Sequence, residues 1–242
     1  MITAVIFDYG GTLVYPRDSW ERIKPRAVYE TYKALYDNGL KMSLEEFISF
    51  EESFFDEYSK LEAEEKMDVP DIEKYGKLVE QLFPEKSREW WESLAKTITA
   101  VFWSVVINNY DVRTDAHQTL ETLRSREFKM AIISNHHNHE ALVGHLKGMG
   151  LDGFFFPIIS SCQFPFKKPD SRIFNVCLDI LRVKSSNAVY VGDTPDIDVV
   201  GAKLAGMKSV LIRDPLKEGE TFAMPDRIIS NLSELISVIP QL

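Results

Sequence analysis

The chain has 242 residues, of which 45% are hydrophobic and 27% charged. This is the composition of a globular protein with a sizeable core, not of a disordered or fibrous one. A formal net charge of -9 argues against a nucleic-acid-binding surface, which needs clustered Lys and Arg in excess. The longest apolar runs fall far short of the ~20 residues of a membrane span, so we expect no membrane partner.

The two cysteines and residues 1–7 indicate which cellular compartment to expect for the protein. Cys162 and Cys177 form no CxxC or zinc-type spacing. Residues 1–7 lack the basic region, the long apolar region and the small-residue cleavage site of a secretory signal. We therefore expect a cytoplasmic protein. Nothing in the pattern indicates an oligomeric state.

The first predicted element is a short buried strand. Residues 2–7 form an apolar, β-prone run that stops at Asp8 and the glycine pair 10–11. Because the run is too short for a helix and ends in turn residues, it predicts a strand whose carboxyl end carries a carboxylate.

A long helical stretch follows, from about residue 18 to residue 109. It is rich in aromatic residues and Glu and poor in strand-like runs. Residues 43–46 (SLEE) have the form of a capping box at the start of one helix, and Pro70 and Pro84 stand where helices are expected to break.

After residue 110 strands and helices alternate. Predicted strands lie at 129–133, 156–160, 188–191, 209–212 and 227–229, and predicted helices at about 114–126, 139–148, 170–182, 196–205 and from 231. This alternation indicates a parallel α/β sheet covered by helices on both faces. Since the first strand must join that sheet, we predict an α/β core of residues 1–16 and 110–242 and an inserted helical domain of residues 17–109.

Ligands bind outside the carboxyl ends of the strands in such sheets. Polar residues stand at or near those ends in this sequence: Asp8, Ser134, Lys168 and Asp193. They supply a carboxylate nucleophile, a hydroxyl, an ammonium and a second carboxylate. Neighbouring Lys167 leaves the choice of lysine open.

Four segments in chain order resemble the motifs of the haloacid dehalogenase (HAD) superfamily. They are 7–13 (FDYGGTL), similar to the family's DxDGT motif, 132–135 (IISN), 168–174 (KPDSRIF) and 191–198 (VGDTPDID). The resemblance implies a Rossmann-like parallel sheet of strand order 5-4-1-2-3 with a C1-type helical cap. It also implies a Mg²⁺-dependent phosphatase that acts on small phosphomonoesters.

The resemblance implies a role for each matching residue. Asp8 attacks phosphorus, and the resulting aspartyl-phosphate is hydrolysed by water. Lys168 offsets the negative charge around Asp8. The implied Mg²⁺ ligands are Asp8, the carbonyl oxygen of Gly10, Asp193 and Asp198, and the implied phosphate or substrate contacts are Thr12, Ser134, Asn135 and Lys168.

Gly10 departs from the family pattern, in which the second residue after the nucleophile is an acid-base Asp. General acid-base help is typically worth ~10²- to 10⁴-fold in rate. One interpretation is a phosphatase that works without that acid or uses His136 or His137 in its place.

Three alternatives stay open. A phosphonatase-like enzyme has a small residue at this position and needs a cap lysine, for which Lys24, Lys33 and Lys41 are available. A 2-haloacid dehalogenase uses the same nucleophile without a metal, which leaves Asp193 and Asp198 unexplained. A degenerate HAD fold would be a binding or scaffold protein without activity.

Overall fold

The computed structural model describes residues 1–213 and 224–242 and divides into two compact units. One unit comprises residues 1–15 and 111–242, and the other comprises residues 16–110. We call them the sheet unit and the helical unit. No helix among the described residues is both long and apolar enough to cross a membrane.

A six-stranded parallel sheet forms the centre of the sheet unit. Its strands are β1 (Ala4–Phe7), β4 (Lys129–Ser134), β5 (Ile158–Ser160), β6 (Ala188–Gly192), β7 (Lys208–Ile212) and β8 (Arg227–Ile229). They lie in the order β5-β4-β1-β6-β7-β8. The first five strands of this sheet along the chain therefore follow the family's strand order, and β8 extends one edge.

Five α-helices of the sheet unit, as the structure describes it, precede or follow these strands along the chain. They are α5 (Ala116–Ser125), α6 (His139–Gly148), α7 (Ser171–Leu181), α8 (Val200–Leu204) and α9 (Leu235–Val238). All four residues of β1 are buried, because a central strand of a parallel sheet has helices on both faces. On one face, alternate residues such as Ala4 and Ile6 pack with Ile173 and Phe174 of α7 in one apolar cluster.

Four helices build the helical unit: α1 (Trp20–Asp37), α2 (Leu44–Glu65), α3 (Asp71–Leu82) and α4 (Arg88–Ile107). The predicted capping box at the start of α2 is confirmed, since Ser43 and Glu46 satisfy each other's backbone N–H groups. Pro70 directly precedes α3 and Pro84 follows its last residue by two, as expected for helix ends. Apolar side chains from all four helices form a separate core.

Two features differ from the sequence-based expectation. Two three-residue strands, β2 (Val14–Pro16) and β3 (Tyr110–Val112), pair with each other and are too short to give a periodic signal. The helix expected at 196–205 instead starts with a π-helical turn, Pro195–Val199, before α8. The remaining short helical turns are 3₁₀ turns at Asp152–Phe154, Ser161–Gln163, Ser185–Asn187, Leu232–Glu234 and Ile239–Gln241.

Candidate active site

The three central strands end in the polar residues of the candidate site. Asp8 follows β1, Ser134 ends β4 and Asp193 follows β6, and β4 and β6 flank β1. Phe7 is in register with Ile132 on one side and Val191 on the other. The three strands therefore end at the same edge of the sheet, β4 two residues and β6 one residue beyond the level of Phe7. The backbone N–H of Asp8 donates to the carbonyl of Val191 at 2.8 Å, which fixes the start of the loop after β1.

Three buried carboxylates meet at this edge of the sheet. Asp8, Asp193 and Asp198 each contribute an oxygen, and these oxygens lie within 4.8 Å of one another. The exposed fractions of the three residues are 7%, 6% and 1%. Asp198 is held at its Oδ2 by the backbone N–H of Thr194, at 2.9 Å, because the π-helical turn folds back over that amide.

Two glycines leave the space that the carboxylates occupy. A Cβ on Gly11 would lie 2.3 Å from Oδ2 of Asp193, and Gly11 has a φ of +78°, which favours glycine. A Cβ on Gly192 would lie 2.4 Å from the side chain of Asp198. Any larger residue at either position would displace a carboxylate.

Lys168 joins two of the three carboxylates. Its Nζ donates to Oδ1 of Asp8 and to Oδ1 of Asp198, both at 2.7 Å, and to the hydroxyl of Tyr190 at 2.8 Å. The residue is 3% exposed, and the three bonds use all three ammonium protons. Of the two neighbouring lysines, Lys168 is therefore the one in the site.

The electrostatics of this group favour a cation. Three carboxylates face one ammonium, so two negative charges are unbalanced when all groups are ionised. The pKa of Asp8 is raised to about 7: burial is the largest cause, Lys168 lowers the pKa in part, and Asp198 and Asp193 raise it. Burial alone would lower the pKa of Lys168, but the carboxylates of Asp198 and Asp8 raise it, so the ammonium keeps its charge.

Thr12 and Ser134 lie buried beside the strand ends. Thr12 is fully buried, and its Oγ1 has no hydrogen-bond partner within the part of the chain that the structure describes. A buried hydroxyl without a partner is costly, so its presence points to a ligand group that would satisfy it. Ser134 is 4% exposed at the last position of β4.

The side chain of Asn135 binds the backbone of Lys168. Its Nδ2 donates to the carbonyl of Lys168 and its Oδ1 accepts from the N–H of Lys168, each at 2.9 Å. Both ends of the amide are thus engaged with the backbone of the catalytic lysine candidate. The predicted contact of Asn135 with substrate stays a prediction.

The histidines after β4 are tied into the protein. Nδ1 of His136 accepts from the N–H of Asn138 at 3.1 Å, and the backbone N–H of His136 donates to Ser161. His139 bonds to Ser160 at 3.0 Å, and burial lowers its pKa. The role of His136 or His137 as a substitute acid stays a prediction.

Gly10 leaves an open position. Apart from its two chain neighbours, no heavy atom of the described residues lies within 4 Å of a Cβ built on Gly10, and its φ is not in the left-handed region. The gap is therefore large enough for a side chain that this sequence lacks. The predicted contact of the Gly10 carbonyl with a metal stays a prediction.

The lysines considered for a Schiff base lie in the helical unit. Lys24 pairs with the buried Glu51 at 3.8 Å, and Lys33 donates to Glu30 at 3.0 Å. Lys41 is exposed. The hydrogen bond from Lys33 to Glu30 raises the pKa of Lys33, which favours the ammonium over the neutral amine that attacks a carbonyl.

One residue of the site was missed by sequence analysis. Tyr190 lies within the buried strand β6 and contacts Lys168 through its hydroxyl. The only available signal was a phenol among aliphatic strand residues, which usually reflects apolar packing.

Comparisons with curated proteins identify phosphatases as relatives. The chain is 30% identical to the phosphoserine phosphatase of Thermus thermophilus over 155 residues, 63% of this chain and 57% of that protein. It is 24% identical to the glyceraldehyde 3-phosphate phosphatase of Methanocaldococcus jannaschii over 243 residues, covering 100% of this chain and 99% of that one. The chain spans little more than half the length of the first curated relatives that it matches.

A solved structure and a family model also match this chain. The fold is similar to that of a 2-haloacid dehalogenase from Pseudomonas syringae pv. Tomato, with a TM-score of 0.73, 23% identity and coverage of 100% and 99% of the two chains. At that identity the likeness shows the fold alone. The model of the haloacid dehalogenase-like hydrolases matches residues 2–206. With its strand order and the four motifs gathered at one sheet edge, the chain belongs to the haloacid dehalogenase-like hydrolase family.

Proposed function

We propose that the protein is a Mg²⁺-dependent phosphatase that hydrolyses small phosphomonoesters through an aspartyl-phosphate on Asp8. The observation that carries the proposal is the buried cluster of Asp8, Asp193 and Asp198, with Lys168 bound to one oxygen of Asp8. Phosphatases among the relatives support the same reaction class.

The residues present fit a hard divalent cation. The cluster offers carboxylate oxygens, the ligands that Mg²⁺ prefers, and its unbalanced negative charge is buried. Asp8, Asp193 and the Gly10 carbonyl would hold the ion, and Asp198 would do so directly or through water. The bound ion would neutralise the charge on the phosphoryl group and so permit attack by an anion.

The protein's own groups perform the transfer. Oδ1 of Asp8 is held by Lys168, which fixes the carboxylate at the end of β1. A carboxylate oxygen of Asp8 attacks phosphorus, the P–O bond to the leaving group breaks, and an acyl phosphate forms. Thr12 and Ser134 donate hydrogen bonds to the phosphoryl oxygens. Water then attacks phosphorus and releases inorganic phosphate, which regenerates the Asp8 carboxylate.

The site lacks the family's usual group for protonating the leaving group, because Gly10 has no acidic side chain. The leaving oxygen would take its proton from water, from the substrate, or from a substitute acid such as His136 or His137. Aryl or acyl phosphates, whose leaving groups need little protonation, should therefore react far faster than alkyl phosphates. Equal rates on the two classes would contradict this part of the proposal.

We further propose that the helical unit of residues 16–110 acts as a cap that selects the substrate. A cap admits only small molecules to the active site and excludes water during the reaction. The natural substrate would accordingly be a small phosphorylated metabolite.

The proposal is tested with an aryl phosphate and Mg²⁺. Wild-type protein should release phosphate, Asp8→Asn should abolish release, and removal of Mg²⁺ with EDTA should stop it reversibly. Asp198→Asn should also be severely impaired, whereas Asp196→Asn, at an exposed position of the same turn, is the matched control and should retain activity. Unchanged turnover by Asp8→Asn or after metal removal would overturn the proposal.

The same preparation separates the alternatives. Activity on phosphonoacetaldehyde alone would indicate a phosphonatase-like enzyme. Metal-independent turnover of 2-chloropropionate would indicate a dehalogenase, for which the clustered Asp193 and Asp198 offer no reason. Inactivity on all three substrates would favour a binding protein.

A further inference from the structure

Tyr190 is the only tyrosine in the six-stranded sheet as the structure describes it. It is 1% exposed, and its ring packs edge-on against Phe174 at 5.0 Å between centroids. Packing alone would be served equally by phenylalanine. The hydroxyl therefore needs a separate explanation, since a buried polar group is stabilised only by its hydrogen bonds.

The hydroxyl of Tyr190 both accepts and donates a hydrogen bond. It accepts from Nζ of Lys168 at 2.8 Å and donates to the carbonyl oxygen of Ile133, also at 2.8 Å. Tyr190 lies on β6 and Ile133 on β4, while β1 lies between these two strands. The side chain thus crosses the face of the strand that carries Asp8 and reaches the residue before Ser134.

Lys168 is consequently fixed at both ends. Its backbone N–H and C=O are bound by the side chain of Asn135. Its ammonium has one fixed acceptor in each of Asp8, Asp198 and Tyr190. Because Tyr190 is the one neutral acceptor of the three, it accepts the third hydrogen bond of the ammonium without adding a negative charge to a site that already has an excess of them.

We propose that Tyr190 is a positioning residue that directs the ammonium of Lys168 toward Oδ1 of Asp8 and Oδ1 of Asp198. The inference rests on the proposed phosphatase function of the same site. Without the phenol oxygen, one proton of the buried ammonium loses its acceptor, and the ammonium turns toward whichever oxygen can accept it. Asp8 then loses its fixed orientation for attack on phosphorus.

Tyr190→Phe tests this directly because it keeps the ring and removes one oxygen atom. We expect kcat on an aryl phosphate to fall about 10- to 100-fold, the effect of leaving a buried charged donor partly unsatisfied. KM should change less than about threefold, because the side chain of Tyr190 is buried and acts through Lys168. The matched control is Tyr75→Phe, which removes a hydroxyl from an equally buried tyrosine, 2% exposed, in the helical unit; its kcat should match wild type.

A second readout does not depend on turnover or on metal. In metal-free wild-type protein, the ¹⁵N-labelled Lys168 ammonium should give a slowly exchanging NMR signal, identified by its loss in Lys168→Arg. The signal should broaden or disappear in Tyr190→Phe and persist in Tyr75→Phe. This measurement on wild type also decides the matter if Tyr190→Phe fails to fold, since absence of the slow signal in wild type overturns the inference.

The outcomes separate the two proposals. Wild type without phosphatase activity contradicts the proposed function. An active wild type with an unchanged kcat in Tyr190→Phe contradicts the positioning role alone. Equal losses of kcat in Tyr190→Phe and Tyr75→Phe would likewise reject it, because the effect would then come from the loss of any buried hydroxyl.

Discussion

Gly192→Ala tests whether the position of Asp198 sets the activity of the site. Gly192 ends β6, and a Cβ placed there would lie 2.4 Å from Cβ, Cγ and Oδ2 of Asp198. Ordinary van der Waals contact begins at 3.4 Å, so the carboxylate must move by about 1 Å. The flexible end of a side chain could absorb that shift, but Asp198 is clamped by Lys168 at 2.7 Å and by the N–H of Thr194 at 2.9 Å.

The expected effect follows from that displacement. A misplacement of ~1 Å in a catalytic group costs about 10²-fold in rate, so kcat/KM on an aryl phosphate should fall by about two orders of magnitude. Mg²⁺ affinity, measured by titration calorimetry, should fall as well because a carboxylate leaves the cluster. Overpacking should lower the free energy of unfolding by ~1 to 3 kcal/mol.

Gly144→Ala is the matched control for this substitution. Gly144 lies within α6, and no described heavy atom outside the helix's own backbone lies within 4 Å of a Cβ placed there. The variant should keep full activity and gain ~0.5 to 1 kcal/mol of stability, because alanine has the higher helix propensity. Full activity and Mg²⁺ affinity in Gly192→Ala would refute the reasoning that Asp198 must stay where it is.

Three further predictions concern acid-base groups. Gly10→Asp adds a carboxyl group in open space, and it should raise the rate on alkyl phosphates at least ~10-fold relative to aryl phosphates; an unchanged ratio in steady-state assays would contradict the missing-acid interpretation. Mg²⁺ should bind about tenfold more tightly at pH 8 than at pH 6 in calorimetry, because the ion must displace the proton of Asp8, whose pKa burial raises to about 7; pH-independent binding would contradict it. Burial would raise the pKa of Asp226, but hydrogen bonds from Lys203, the Ser209 backbone and Lys208 lower it to about 2. The lowered pKa should contribute ~1 kcal/mol to the free energy of unfolding, a figure discounted because both lysines are partly exposed. This contribution should be present above pH 3.8, the pKa of a free Asp, and lost as pH falls toward 2. Asp226→Asn should not lose this stability in acid. An acid-unfolding profile identical to that of wild type would contradict the prediction.

The strand ends could be predicted from sequence because parallel strands impose them. Once residues 2–7 and 188–191 are recognised as buried parallel strands, Asp8 and Asp193 must lie at the same edge of the sheet. The resemblance of the four segments to a known family then supplied the order of the strands and the identity of Asp198. These conclusions depend on local runs of residues and on chain order, both of which a single sequence contains.

Contacts between distant parts of the chain could not be predicted in the same way. The resemblance assigns the lysine role to Lys168, but neighbouring Lys167 leaves the choice open in the sequence. Only the fold shows that Asn135, 33 residues away, binds the backbone of Lys168. Tyr190 fits the apolar pattern of β6, so its contact with Lys168 has no local signal. The strands β2 and β3 have three residues each, and three residues cannot establish a period of two.

The central claim is that Asp8 forms a covalent bond to phosphorus. Wild-type protein mixed with an aryl phosphate and Mg²⁺ can be quenched in acid within one turnover and digested for mass spectrometry. We expect one phosphoryl group on the peptide that contains Asp8, absent from Asp8→Asn and lost after longer incubation. Release of phosphate in the first turnover with no modification of that peptide at any time would contradict it.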